Sequence, residues 1–400
     1  MIKKAIGVIL IVMLLLCVLT ACGGGTSNNS DTSSSTTSNG SDDQSDWIDL
    51  NLSYATYTPG RPNPQQGSIE LLQLKLDEAM PGKVKIEIYN SGSLLGANDI
   101  YNGVLNGTAD MGLVDLATVV ERFPLTQLFS YPGHGFNWSE SAGRAMMEWI
   151  ETTKPAEYDD IFVLGTQCSG PLSLLTKTPV YELSDAQGLQ VRASTIAAKS
   201  LEAWGAVPVT IPNSEVYEGL RTGLLDGTYN MLGDFGKNKL DEHAKYIMTS
   251  NLSNNSYLLV MNKDVHDSMP ESQREVFDRC VREMWEEYTV RYIEHGGQVG
   301  DFTYPGLTSD DPDILRLAET TEMYFLTPGT AAYEEFKKAS ESLTEEYAKS
   351  LDEKGLPGTE TLEIIRELAD KYNSQYTWDD YIEFITEPLR AKNVTWKESK

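Results

Sequence analysis

From residue 48 onward the spacing of apolar positions marks out the elements one by one. Residues 48–54 read as a first strand, followed by a loop rich in proline and glycine (Pro59, Gly60, Pro62, Pro64, Gly67). Ser68 is placed to cap a helix whose apolar stripe, Ile69, Leu72, Leu76 and Met80, recurs at helical spacing and stops at Pro81-Gly82. Val84, Ile86 and Ile88 then alternate with Lys85 and Glu87, which predicts a half-buried strand over 83–89. The order strand, helix, strand, helix, strand up to Asp115 is a run of βα units and implies a mostly parallel sheet. A further strand is expected at 160–167, and strands at 172–176 and 188–193 lie either side of a turn at Ser184-Asp185. Ser194 caps a helix ending near Trp204-Gly205, and 207–211 is again a strand. Residues 257–262 are apolar almost throughout, as in a central strand buried on both faces, and return the chain to the first lobe. A long amphipathic helix is expected over 270–294, stopped by Gly296-Gly297. More helices follow at 331–351 and 361–372, the latter with Leu362, Ile365, Leu368 and Tyr372 on one face.

One pattern is written twice. Tyr101-x-Gly103-Val104-x-x-Gly107-x-x-Asp110 returns as Tyr217-x-Gly219-Leu220-x-x-Gly223-x-x-Asp226. Each copy reads as the last turns of a helix, a glycine stop, and an aspartate opening a strand. A repeated supersecondary unit implies two similar α/β lobes, and a cleft between lobes is where small ligands usually bind.

The chain opens with Lys3 and Lys4, an apolar run at 9–19 too short to span a bilayer comfortably, and Leu19-Thr20-Ala21-Cys22-Gly23. The last five residues resemble a bacterial lipobox. The resemblance implies cleavage of a leader over 1–21 and a diacylglycerol on the sulfur of Cys22. Residues 23–46 are almost wholly small or polar, so 22–46 is expected to be a flexible tether. No later stretch is long and apolar enough for a membrane helix. The expected product is an outward-facing domain held to the cell membrane by lipid.

Composition narrows the partners. With 59 acidic against 32 basic residues the net charge is −27, which opposes nucleic acid and anionic membrane surfaces. An anionic small molecule would need a local positive site. Cys168 and Cys280 are compatible with a disulfide or with two buried thiols, the latter at least as well since Cys280 shares a stripe with Val276, Met284 and Tyr288. The four histidines are scattered without metal-ligand spacing. There is no Gly-x-Ser-x-Gly elbow, His-Glu-x-x-His helix or phosphate loop, so neither an enzyme nor a cofactor is expected.

Several stretches, in order, resemble one family. They are Gly188-Leu189-Gln190-Val191-Arg192-Ala193-Ser194, Trp204-Gly205-Ala206-Val207-Pro208-Val209, and Ser214-Glu215-Val216-Tyr217 with Gly223 and Asp226-Gly227. The amino-terminal half agrees through Tyr89-Asn90-Ser91-Gly92-Ser93-Leu94-Leu95-Gly96, the run from Gly107 to Gly112, and Arg122-Phe123-Pro124-Leu125. Leu259-Val260-Met261-Asn262-Lys263 agrees as well. These resemble the extracytoplasmic solute-binding proteins of tripartite ATP-independent periplasmic (TRAP) transporters, the DctP family, over about residues 50–300. The resemblance implies a two-lobed periplasmic-binding-protein-like α/β fold with mostly parallel sheets, a long cross-lobe helix and a helical carboxyl-terminal tail. It also implies capture of a small organic acid and its delivery to a small and a large membrane subunit. The expected layout is a first lobe at 47–170 completed by 257–330, a second lobe at 171–256, and carboxyl-terminal helices at 331–400.

By this resemblance Arg192 matches the carboxylate-binding arginine. Its place agrees: Leu189 and Val191 face the core, so Arg192 faces away, near the carboxyl end of its strand. A guanidinium offers two parallel donors to a carboxylate. Asn230 falls on the family's ligand-contacting asparagine, although the family's usual Glu or Pro near 229–231 is missing. Asn213 sits at a common pocket position or caps the repeated helix, and Tyr217 is either a pocket or a core residue. On the first lobe, Asp115 and Gln167 end strands and are expected to face the cleft, with Tyr54 and Tyr57 as an apolar wall. The strand from Gly170 to Leu175 lacks the second arginine found in many members, so one carboxylate is expected and a monocarboxylate favoured. The competing readings are the binding protein of an ATP-driven importer, an anchored hydrolase, and a sensor subunit for a receptor kinase.

Overall fold

Two mixed sheets, with two chain crossings running side by side between them, carry the computed structural model, which describes residues 46–304, 306, 312–391 and 395–399. The leader, Cys22 and the tether up to residue 45 lie outside the described residues. The chain enters as β1 (Leu50–Ala55), α1 (Pro64–Ala79), β2 (Val84–Tyr89), α2 (Ile100–Leu105) and β3 (Met111–Asp115), followed by α3 (Ser139–Thr153) and β4 (Ile161–Cys168). It crosses to β5 (Ser173–Thr176), β6 (Gln190–Arg192), α4 (Ala197–Ala203), β7 (Val207–Val209), α5 (Val216–Thr222), β8 (Gly227–Asn230), α6 (Leu232–Lys237) and β9 (Tyr246–Thr249). It returns as β10 (Ser256–Asn262), α7 (Lys263–Asp267), α8 (Glu271–Met284), α9 (Tyr292–His295) and a hairpin of β11 (Gly297–Val299) and β12 (Phe302–Tyr304). The chain then runs through α10 (Pro312–Thr320), β13 (Glu322–Phe325), α11 (Ala331–Asp352), α12 (Gly358–Asn373), α13 (Trp378–Ala391) and β14 (Lys397–Glu398).

The sheet orders are β2-β1-β3-β10-β4 and β14-β13-β9-β5-β8-β6-β7. Read from β2 and from β7, the first five positions correspond. β1 is parallel to β2 and β3 as β6 is to β7 and β8, and β10 is antiparallel to β3 and β4 as β5 is to β8 and β9. Each sheet is therefore parallel on its outer side and antiparallel where a crossing strand enters.

The repeated sequence pattern has a shared job. Asp110 Oδ2 accepts from Ser53 N at 2.7 Å and from Ser53 Oγ, and Asp226 Oδ2 accepts from Gln190 N at 2.9 Å. In both lobes the aspartate ties the start of the third strand to the central one. Gly107 and Gly223 end their helices with φ of 74° and 84°, the left-handed conformation a side chain resists.

The stripe predicted for α1 is buried: Ile69, Leu72, Leu76 and Met80 pack with Leu52, Met111 and Phe277 under the first sheet. The helix expected over 270–294 is divided into α8, a π turn at Trp285–Thr289, and α9. At that turn the Trp285 indole donates to Thr166 O at 2.9 Å and lies against Gly165, where a Cβ would come within 2.5 Å of the ring. Segment 257–330, expected to complete the first lobe, also divides. β13 pairs in parallel with β9, so Met323 and Phe325 join the core of the second lobe. Helix α11 spans both lobes: Tyr333 and Phe336 pack with Trp204 and Tyr229, while Ala348 and Leu351 pack with Phe129 and Trp149. Cys168 and Cys280 are free, buried thiols. Among the described residues no helix is long and apolar enough to cross a membrane.

The crossings 168–173 and 249–256 run side by side, with Ser169 N donating to Asn255 O at 2.8 Å and Leu172 N to Ser253 O at 3.1 Å. Against them, at Gly170, lies the buried carboxyl of Glu294, which accepts from Ser139 N at 2.7 Å and from Ser139 Oγ. Burial pushes Glu294 up to about 7. A carboxyl raised on folding contributes stability that is present below its unfolded pKa and lost as pH rises through the folded one. Stability should therefore fall by on the order of 1–2 kcal/mol between pH 5.5 and 8.5 through this group, and Glu294→Gln should flatten that fall in urea titrations. Gly107→Ala and Gly223→Ala should each cost about 1 kcal/mol in the same assay, because alanine must take the left-handed conformation.

Candidate functional site

Both sheets end in polar rows on the side where the crossings run. In the second lobe the alternation of β6 decides which residue is presented. Val191 is fully buried with Trp204 and Leu201, so Arg192 turns to the opposite face, in register with Val209 and Thr228. Arg192 is half-buried, and its Nε donates to Ile211 O at 3.2 Å. Among the described residues it forms no ion pair, and neither terminal nitrogen has a partner. Burial pulls the guanidinium below its ordinary pKa, and the nearby charge of Asp234 works the other way.

Asn230 ends β8, two positions beyond the residue paired with Arg192, so both side chains lie on one face. Its Oδ1 accepts from Met231 N at 2.9 Å, and the side chain faces Asp234 in the first turn of α6. Burial raises Asp234, while Lys237, Arg192 and Asn230 pull it back. Asn213 is exposed at the start of a 3₁₀ turn, Asn213–Glu215, two residues past the carbonyl that holds Arg192, and it does not cap through its side chain. Tyr217 stacks edge-on against His243, with ring centroids 4.7 Å apart, and donates to Glu242. The structure thus brings Arg192 and Asn230 together and sets Tyr217 against other partners.

In the first lobe β10 lies between β3 and β4, and Tyr257 is in register with Asp115 on one side and Gln167 on the other. The three side chains form a row on one face. Asp115 Oδ1 accepts from Ala117 N at 3.0 Å, and the Tyr57 hydroxyl is turned toward the same carboxylate. Burial raises Asp115, and these two groups partly offset it. Gln167 is buried, with Oε1 accepting from the Tyr292 hydroxyl at 2.6 Å and Nε2 unpartnered. Tyr54 is fully buried beside this cluster, its hydroxyl toward Thr56 without a completed hydrogen bond.

The Tyr257 hydroxyl lies within the field of Asp115 from its own lobe and of Asp234 from the other. Neither Tyr257 nor Asp234 stands out as a site residue in the sequence. Tyr257 merges with an apolar strand. Asp234 follows Asn230 at helical spacing, the one signal that could have placed them together. Among the described residues no cluster of His, Cys, Asp and Glu could hold a metal ion.

Comparison with known proteins identifies the family and the fold. Residues 55–300 match the model of the bacterial extracellular solute-binding proteins, family 7 (DctP). The chain is 25% identical over 217 residues to a solute-binding protein of Albidiferax ferrireducens, covering 52% of this chain and 64% of the relative. It is 26% identical over 215 residues to the C4-dicarboxylate-binding periplasmic protein DctP of Rhodobacter capsulatus, covering 50% and 62%. The chain thus spans less than two thirds of the length of either curated relative. A TRAP periplasmic solute-binding protein from Desulfovibrio salexigens superposes with a TM-score of 0.68 at 27% identity, over 81% of this chain and 97% of that one. It was crystallised open, with the carboxyl terminus of a symmetry mate in its ligand-binding site. A TRAP solute-binding protein from Rhodoferax ferrireducens with copurified benzoate shares the fold, with a TM-score of 0.66 at 21% identity over 82% and 99%. With the family match running through both lobes and both polar rows, this chain belongs to family 7 of the bacterial extracellular solute-binding proteins, as a TRAP-type member.

Proposed function

We propose that the chain captures a small organic acid between its lobes and hands it to the two membrane subunits of a TRAP transporter. It acts by binding and release, without catalysis. The observation that carries this reading is Arg192, a half-buried guanidinium with both terminal nitrogens unpaired in a chain of net charge −27. Exposed carboxylates are plentiful, yet none is paired with it among the described residues. A carboxylate ligand would supply the missing bidentate partner. Related proteins support the class: one carries copurified benzoate, one bound succinate, and one pyroglutamic acid.

In this reading Asn230 donates to the same carboxylate, and Asn213 rims that end. Asp115 and Gln167 receive the far end of the ligand from the other lobe, with Tyr54 and Tyr57 closing the wall. Tyr217 supports the second lobe from behind. Ser173 and Thr249, whose hydroxyls share a hydrogen bond of 2.8 Å, are the residues beside Asn230, so no second base stands there and a monocarboxylate fits better than a dicarboxylate. Contacts made from both lobes at once favour the closed arrangement, which is how occupancy would be signalled to the membrane subunits. The lipobox at Cys22 and the tether would hold the domain at the outer face of the cell membrane.

Arg192→Ala should weaken binding of the acid by about 2–3 kcal/mol in calorimetry, and Arg192→Lys should fall between, because an ammonium cannot make the planar fork. Equal affinity in the alanine variant would remove Arg192 from the site. Without ligand, Arg192→Met should unfold at a temperature close to that of the parent, since the half-buried charge gives up one hydrogen bond to Ile211 O and no ion pair among the described residues. A clear drop in the midpoint would assign Arg192 a structural role instead.

A further inference from the structure

The charges that face the gap do not balance. Arg192 brings one positive charge, while Asp115 and Asp234 bring two carboxylates, one from each lobe. Both acids are only partly exposed, and neither forms an ion pair among the described residues. Lys237, a turn further along α6, is exposed, and its charge reaches Asp234 only from beyond ion-pair distance. Asp234 faces Arg192 and Asn230 on its own lobe and acts on Tyr257 across the gap. Asp115 stands in a sheet row with Tyr257 and has the Tyr57 hydroxyl turned toward it.

A plain monocarboxylate held by Arg192 adds a third negative charge to this set, and a dicarboxylate adds a fourth. With water excluded, the repulsion is large, because the effective dielectric is far below that of bulk solvent. A positive group on the ligand reverses the sign of both interactions. It would also meet the two tyrosine rings, whose faces attract cations. The charges thus favour an anion beside Arg192 and a cation beside the two carboxylates.

We propose that the cleft takes a zwitterion, a small carboxylic acid that also carries an ammonium or amidinium group. Its carboxylate sits on Arg192 and its cation lies between Asp115 and Asp234, against Tyr57 and Tyr257. The proposal rests on the reading of Arg192 as the carboxylate site and adds the second half of the ligand. Asp115 and Asp234 become the residues that set specificity, and Lys237 stays outside the pocket.

Matched probes separate the two claims. Isothermal titration of the full chain should rank 4-aminobutanoate at least tenfold above 4-hydroxybutanoate and butanoate, with succinate weakest, and proline at least tenfold above cyclopentanecarboxylate. Asp115→Asn and Asp234→Asn should each erase most of that tenfold preference while tightening the binding of butanoate, since each removes a repelling charge and keeps the side-chain shape. If the hydroxylated or plain acid equals its amino counterpart in the parent, or if either Asn variant weakens butanoate, the zwitterion proposal is overturned. Loss of that binding in Arg192→Ala would then leave the carboxylate reading standing. Should an Asn variant fail to fold, the ranking in the parent decides alone. Failure of all probes to bind sinks both claims.

Discussion

Two strands of backbone, laid against each other where the chain passes between lobes, set the terms for everything else. Ser169 and Leu172 on the outward crossing bond to Asn255 and Ser253 on the return. Because the crossings are adjacent, the strand that follows each one enters a sheet antiparallel to its neighbours, β5 in the second lobe and β10 in the first. That entry places the amino end of β10 between the carboxyl ends of β3 and β4. Tyr257 is thereby set between Asp115 and Gln167, and the polar ends of the strands open on the same gap. The carboxyl ends of α/β strands are where ligand groups gather in general. Here the paired crossings make the two sets of ends confront each other.

The site holds a guanidinium without an ion pair among the described residues. Elsewhere most basic side chains find acids: Arg61 with Glu70, Arg144 with Glu140, Arg316 with Asp313 and Asp241. Among the described residues Arg192 is left with one backbone carbonyl. An unpaired charge taken partly out of water lowers stability, and such groups persist where function needs them. The same holds for the Nε2 of Gln167, a buried donor with no acceptor among the described residues. Polar groups with unmet partners at the strand ends of both lobes fit a site that receives a polar ligand.

Much of this was legible in the chain. The α1 stripe, the half-buried β2 and the apolar β10 follow from periodicity, and the duplicated pattern maps onto matched positions because an aspartate and a left-handed glycine do one mechanical task twice. Arg192 was legible through the alternation of its strand together with family resemblance. Asp234 was hidden because its relevance depends on α6 folding back over the end of β8. Tyr257 was hidden because a tyrosine within an apolar run looks like core. β13 is four residues long and gains its place only by pairing with the open edge of β9, a tertiary effect without local signature. The break after Met284 comes from the Trp285 ring lodging at Gly165, a packing fact far away in sequence.

Helix α11 constrains any movement of one lobe against the other. It runs for 22 residues, about 33 Å of stiff rod, with one end seated beside Trp204 and the other beside Trp149. A rod fastened at both ends cannot follow two bodies that swing apart like book covers. Either its seat at Phe336 or its seat at Leu351 has to slip, or the rod must bow. The carboxyl-terminal part of the chain thus ties the core of one lobe to the core of the other through a single element.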